Sequence, residues 1–200
     1  MLGQATLIRS IQHGFTYSGD ITYSGAHSST APVEIGGLVG HNDAPLVGEG
    51  FAIYLEGVTT KPEGNPTVTG PIYHDCKVSF LGNITCTGTS AGPTYVGGWA
   101  GYSSTAVMNG QIYCSLQTDH YQNVGMIIGS ARVNESVMAK DCAVGGEFMA
   151  YDAEDDSYKL VPLKEDDYFN YIYGSGEDTD WTGTDNYDGC TFLSVKPTIE

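Results

Sequence analysis

The sequence predicts an all-β chain: a right-handed, parallel β-helix-like solenoid of about four coils with a C-terminal cap. Three observations predict it. Glycine (27 of 200 residues) and tyrosine (14) are abundant and only 16% of residues are charged, with the glycines spaced through apolar alternation, a pattern of many short strands and tight turns. No window of 11–18 residues carries the i, i+3, i+4, i+7 apolar spacing of a surface helix. A glycine-flanked apolar hexad also recurs along the chain, and a recurring unit is read before any single segment.

The hexad is IGGLVG at Ile35–Gly40, VGGWAG at Val96–Gly101 and VGMIIG at Val124–Gly129, with an eroded copy at Phe169–Gly174. Its structural positions are Gly36, Gly37, Leu38 and Gly40; Gly97, Gly98, Trp99 and Gly101; and Gly125, Ile127 and Gly129. A strand element opening on glycine precedes each copy: GDITYSG from Gly19, GNITCTG from Gly82, GQIYCSL from Gly110 and GEFMAYD from Gly146. The first small residue of each hexad follows these glycines by 17, 15 and 15 residues, and by 24 for the eroded copy; Gly82 to Gly110 is a period of 28. A third element, Asp-Cys-x-Val, occurs at Asp75–Val78 and Asp141–Val144, and Tyr187–Phe192 reads as a last half-repeat.

A unit of about 28 residues with two or three short strands cannot bury its own apolar face, but stacked copies can. Leu38, Trp99, Ile127 and Ile172 are then expected to form an interior ladder. The glycines would sit where the coil bends or where two backbones approach too closely for a Cβ. Residues 1–150 read as the repeats, with an insertion at about 41–71. Residues 151–200 read as an acidic insertion loop, YDAEDDSYKLVPLKEDDY, followed by a cap over the open strand edges.

The G-G-L-V-G hexad, with D-C-x-V and G-x-I strands about 28 residues apart, resembles the GLUG repeat of bacterial secreted and surface proteins, including gut Bacteroidetes surface proteins and the repeat regions of IgA-specific metallopeptidases. The resemblance spans roughly residues 19–146 and is best at Gly36–Gly40; Trp99 and Met126 depart from it, and residues 151–200 lie outside it. It implies a β-helix-like fold and an extracellular or cell-surface location. It implies no chemistry, since the repeat is a scaffold.

Net charge is −16, split as −6 over residues 1–150 and −10 over 151–200. A chain so short of Lys and Arg is not expected to bind nucleic acid, anionic glycans or anionic lipid, which leaves neutral sugars, cations and basic proteins as partners. MLGQATLIRSIQHG has no signal-peptide core, and no apolar run is long enough to span a bilayer, so no membrane insertion is expected within this chain.

The candidate sites follow from the same reading. Tyr17, Tyr23, Tyr95, Tyr102, Tyr113 and Tyr121 lie in or beside strands; on an outer face, Tyr95, Tyr102, Tyr113 and Tyr121 would offer rings to a sugar or a protein partner, and otherwise they pack within the sheet. Asp178, Asp180, Asp185 and Asp188, among Gly, Thr and Asn, form half of a calcium loop without its bidentate Glu; calcium is the one cofactor the sequence suggests, against solvated acidic loops. Cys86 and Cys114 each follow an element glycine by four residues, so stacking of the two is expected, as a buried thiol ladder or, with poor geometry, a disulfide. Cys76, Cys142 and Cys190 complete an odd count with no C-x-x-C spacing. The five histidines are scattered and read as surface residues.

The function expected is an extracellular binding or adhesion module for a glycan or protein partner. The alternatives are a carbohydrate-active enzyme of the β-helix type, which would need two carboxylates at a fixed separation, and a structural spacer.

Overall fold

The computed structural model describes residues 2–5, 15–42, 46–47, 78–103, 107–108, 110–119, 123–131, 139–165, 173–176 and 187–199. Regular structure among them is all strand, and no helix there is long and apolar enough to cross a membrane. The first strand is Leu2–Ala5 (β1). The segment from residue 15 then carries Phe15–Tyr17 (β2), Ile21–Tyr23 (β3), Ala26–His27 (β4), Val33–Gly36 (β5), Val39–Asn42 (β6) and Leu46–Val47 (β7). The next repeats that order as Val78–Phe80 (β8), Ile84–Cys86 (β9), Thr89–Ser90 (β10), Thr94–Gly97 (β11), Ala100–Ser103 (β12) and Val107–Met108 (β13). A third has Gly110–Thr118 (β14), Val124–Gly125 (β15), Ile128–Ala131 (β16) and Ala139–Lys140 (β17). Then come Ala143–Asp152 (β18), Ser157–Pro162 (β19), Tyr173–Gly176 (β20), Tyr187–Asp188 (β21) and Thr191–Leu193 (β22).

Among the described residues, every strand except β19 pairs in parallel with a counterpart in the neighbouring segment. The sheets run β1-β6-β12-β16-β20, β5-β11-β15, β7-β13-β17-β21 and β4-β10, and the largest holds β2 and β3, then β8 and β9, then β14, β18 and β22. The one antiparallel pair among the described residues is β18 with β19. Parallel pairing in register puts like side chains in rows. Tyr17, Phe80, Ile112, Val144 and Phe192 form one row, and Ile21, Ile84, Leu116 and Phe148 another. Phe80, Ile84, Ile112 and Leu116 are fully buried, each worth about 1.5–3 kcal/mol of burial. A polar row runs along an exposed side: the Asp20 carboxylate accepts from the backbone and side-chain amides of Asn83 (3.0 and 2.9 Å), and the Asn83 side-chain oxygen accepts from the Ser115 N–H (3.3 Å).

The hexads form the bends between β5 and β6, β11 and β12, and β15 and β16. Val96 lies opposite Ile35 and Val124, and Gly97 opposite Gly36 and Gly125. The Leu38 and Trp99 N–H groups donate to the Trp99 and Ile127 carbonyls. Trp99 and Ile127 are buried and Leu38 half-buried against the core. A Cβ on Gly97 would overlap the Ala100 carbonyl oxygen and crowd the Gly129 nitrogen; one on Gly101 would crowd the Ile35 nitrogen and the Gly40 oxygen. Gly36, Gly37, Gly98 and Gly129 meet backbone in the same way. The glycines thus mark a bend where backbones touch.

Four expectations change. The 28-residue period holds between the second and third bends, from Val96 to Val124, but β14 pairs 32 residues on: Gly110 faces Val78, and Thr118, not Cys114, faces Cys86. Third-segment residues between Thr118 and Val124 number four fewer than those between Cys86 and Val96, where the second segment places β10; this shortening absorbs the difference. Gly110 therefore is not the counterpart of Gly82; it makes room for the Trp99 ring, which a Cβ there would strike. Second, the acidic stretch from Tyr151 is the outer part of a β18–β19 hairpin turning at 153–156, not a loop. Third, past residue 150, where a cap is expected, β20, β21 and β22 extend three of the parallel sheets. Fourth, residues 41–42 and 46–47 are strand, while 48–71 of the expected insertion lie outside the described residues, as does Ile172.

Gly97→Ala is expected to lower stability by about 1–3 kcal/mol through forced backbone displacement. Gly25→Ala, where the nearest atom to an added Cβ is 3.6 Å away, should stay within about 0.5 kcal/mol. Urea midpoints of the two variants check this.

Candidate functional site

The outer side of the bends carries the best-defined cluster of polar and aromatic side chains. A buried apolar residue flanks each hexad's first glycine, so by strand alternation the residue before it points outward. The residue after the last glycine does the same in the first two copies, while in the third it is buried. These flanks are Glu34 and His41, Tyr95 and Tyr102, and Asn123 and Ser130. Register sets Glu34 beside Tyr95, and His41 beside Tyr102, which in turn neighbours Ser130. Val96 N–H donates to the Asn123 carbonyl, placing Asn123 in the Glu34–Tyr95 row.

Three contacts tie the cluster together. His41 Nδ1 lies 2.9 Å from both carboxylate oxygens of Glu34, with side-chain exposures of 27% and 18%. The His41 ring stacks on Tyr102, centroids 4.7 Å apart and 23° between planes. Tyr95 tilts against Tyr102 at 6.2 Å and 34°. All four side chains are half-buried. The cluster offers aromatic rings, a ring nitrogen and a carboxylate on one rigid bend. Glu34 is bonded to an imidazole rather than facing a second carboxylate across a gap, so these four residues do not supply the two-carboxylate geometry of glycoside hydrolysis.

Of the tyrosines singled out from sequence, Tyr95 and Tyr102 come together here. Tyr113 is half-buried on β14, in a different sheet, and Tyr121 lies outside the described residues. Tyr17 and Tyr23 turn inward against the core, Tyr17 stacking on Phe80 at 5.9 Å. Asp178, Asp180 and Asp185 lie outside the described residues; Asp188 is in β21, beside Lys140 of β17. Glu34 and His41 were missed, yet the signal is in the sequence: EIGGLVGH, YVGGWAGY and NVGMIIGS align flank on flank.

No disulfide joins the four described cysteines. Cys86, Cys114 and Cys142 are buried and Cys190 half-buried. Burial pushes the Cys114 thiol up to about 12 and raises Cys86 as well. Cys142 and Cys190 fall at equivalent register positions, each one residue before the paired Ala143 and Thr191, whereas Cys86 and Cys114, on the paired strands β9 and β14, are out of register. Both follow a left-handed residue, Asp141 (φ 52°) and Gly189 (φ 62°). At the hairpin, Lys159 bonds the Asp152 carboxylate (2.8 Å) and that of Asp155; the Lys159 hydrogen bond lowers the Asp152 carboxyl, and Lys159 is raised in turn.

Compared with known proteins, the chain matches no family model, no curated protein and no solved structure. The functional reading therefore rests on the geometry of the bends.

Among the described cysteines, Cys190 should be alkylated first in the native chain. Burial both shields Cys114 and holds its thiol protonated, and the thiolate is the nucleophile, so this cysteine should react only after unfolding. Peptide mass mapping after timed iodoacetamide exposure checks the order.

Proposed function

We propose that this chain is an exported binding module: a right-handed β-solenoid of about four coils, of the GLUG-repeat kind, that presents its hexad bends to a neutral glycan. The observation that carries this reading is the meeting of Tyr95, Tyr102, His41 and Glu34 on one bend. Aromatic rings stack on the apolar faces of sugars, and neighbouring polar groups fix the hydroxyls. A net charge of −16 selects against anionic glycans, because like charges repel at long range.

The solenoid reading is supported by the repeated strand order and the constant bend register. Each segment would be one coil, with the flanks of successive hexads forming a continuous outer strip. The export reading rests on the GLUG resemblance. Adhesion is the use such a strip would serve on a surface protein.

An array of neutral oligosaccharides probed with the intact chain tests the reading. Binding is expected, and Tyr102→Ala and Tyr95→Ala should each weaken it about tenfold, or ~1.4 kcal/mol. Hits that survive in the double variant would sink the assignment to this bend. A blank array would make a protein the better partner.

A further inference from the structure

We propose that the β18–β19 hairpin is a docking arm for an extended, cationic protein segment bearing apolar side chains. The hairpin's root is fixed in the core: Phe148 and Leu163 are buried, and the Leu163 N–H donates to the Gly146 carbonyl at 2.8 Å. Beyond the root the arm stands out. Residues 153–156 and 158–160 are exposed, and Tyr158 and Leu160 are 37% and 39% accessible. These two alternate along β19, opposite positions 151 and 149 of β18, so they share one face of the ribbon. Lys159 falls on the other face, with Ala150 opposite. An isolated two-stranded ribbon is marginal in water and gains from cover on its apolar face.

Charge decides what covers it. The tip holds four carboxylates, Asp152, Glu154, Asp155 and Asp156, against one ammonium, Lys159, which Asp152 and Asp155 already engage. A second copy of this chain would bring another acidic tip and another −16 body, and an anionic membrane would repel both. A basic partner gains attraction and apolar cover together. Among the described residues β19 pairs on one edge only, with β18. Its other edge presents backbone groups of the kind that an added strand uses.

The test titrates the intact chain with a synthetic twelve-residue peptide of alternating Lys and Val, with Lys–Ser and Glu–Val peptides as controls. The Lys–Val peptide should bind with an affinity that falls as salt rises. The Lys–Ser peptide, and the Tyr158→Ser/Leu160→Ser double variant with the Lys–Val peptide, should each bind at least tenfold more weakly. Glu154→Gln/Asp156→Asn keeps the apolar face and should weaken Lys–Val binding several-fold; it carries the test if the serine variant loses the hairpin. Undiminished binding by a folded serine variant, or by the Glu154→Gln/Asp156→Asn variant, overturns the proposal. So does a concentration-dependent dimer, in sedimentation, that the serine variant abolishes.

Discussion

Backbone touching backbone at the hexad bends is the constraint on which the rest depends. A Cβ on Gly97 has nowhere to go because the Ala100 carbonyl occupies its place, and the same holds at Gly36 and Gly129 against their own neighbours. That contact fixes how sharply β11 gives way to β12. It therefore fixes the angle between the sheet holding β5, β11 and β15 and the sheet holding β6, β12 and β16. Parallel ladders then carry the angle from one segment to the next, since Val96 and Gly97 pair on both sides. Glycine here is a steric requirement: the residue with no Cβ is the one that allows the approach.

This explains which parts of the fold were legible. The hexads could be read because a forbidden Cβ leaves an unmistakable residue, and the 28 residues from Val96 to Val124 are the ladder spacing between the second and third bends. The strand elements were harder, because glycine serves two ends there. Gly82 sits in the row of Gly19, where an added Cβ would overlap the Gly19 carbonyl oxygen; Gly110 is empty so that Trp99 can lie over it. Sequence spacing treats the two alike, so Cys86 and Cys114 were set in one row when the chain sets them four residues apart. Periods 28 and 32 are both even, so inward and outward alternation cannot choose between them. Bulk chooses: the longer register puts Ile112 on Phe80 and Leu116 on Ile84.

Trp99 shows what such packing costs. It is the largest fully buried side chain among the described residues, and its indole Nε1 has no hydrogen-bond partner. An unsatisfied buried donor costs about 1–3 kcal/mol, comparable to what burying a large ring returns. The indole is accommodated because Gly110, against which its ring lies, has no side chain. Of the candidate site, the tyrosines were visible by residue type alone. Glu34 and His41 were not, because a lone histidine and a lone glutamate say nothing until the bend register pairs them. The hairpin was hidden for a different reason: DAEDD reads as solvated loop, and only the six-residue antiparallel match from Glu147–Pro162 to Asp152–Ser157 makes it a turn.

Inside and outside of the bend obey different rules, and the flanks show it. Within the hexads, inward and backbone-contacting positions stay glycine or apolar in all three copies. The flanks change completely, from Glu and His to Tyr and Tyr to Asn and Ser, while their places in the ladder do not move. A rigid bend sets where a side chain stands without setting what it is, so recognition can be rewritten there at little cost to folding. The same separation governs the hairpin, whose Phe148 and Leu163 root belongs to the core while Tyr158 and Leu160 do not. Chemistry in this chain is therefore expected where the ladder holds a position but not its occupant, at the hexad flanks and along the outer arm of β18 and β19.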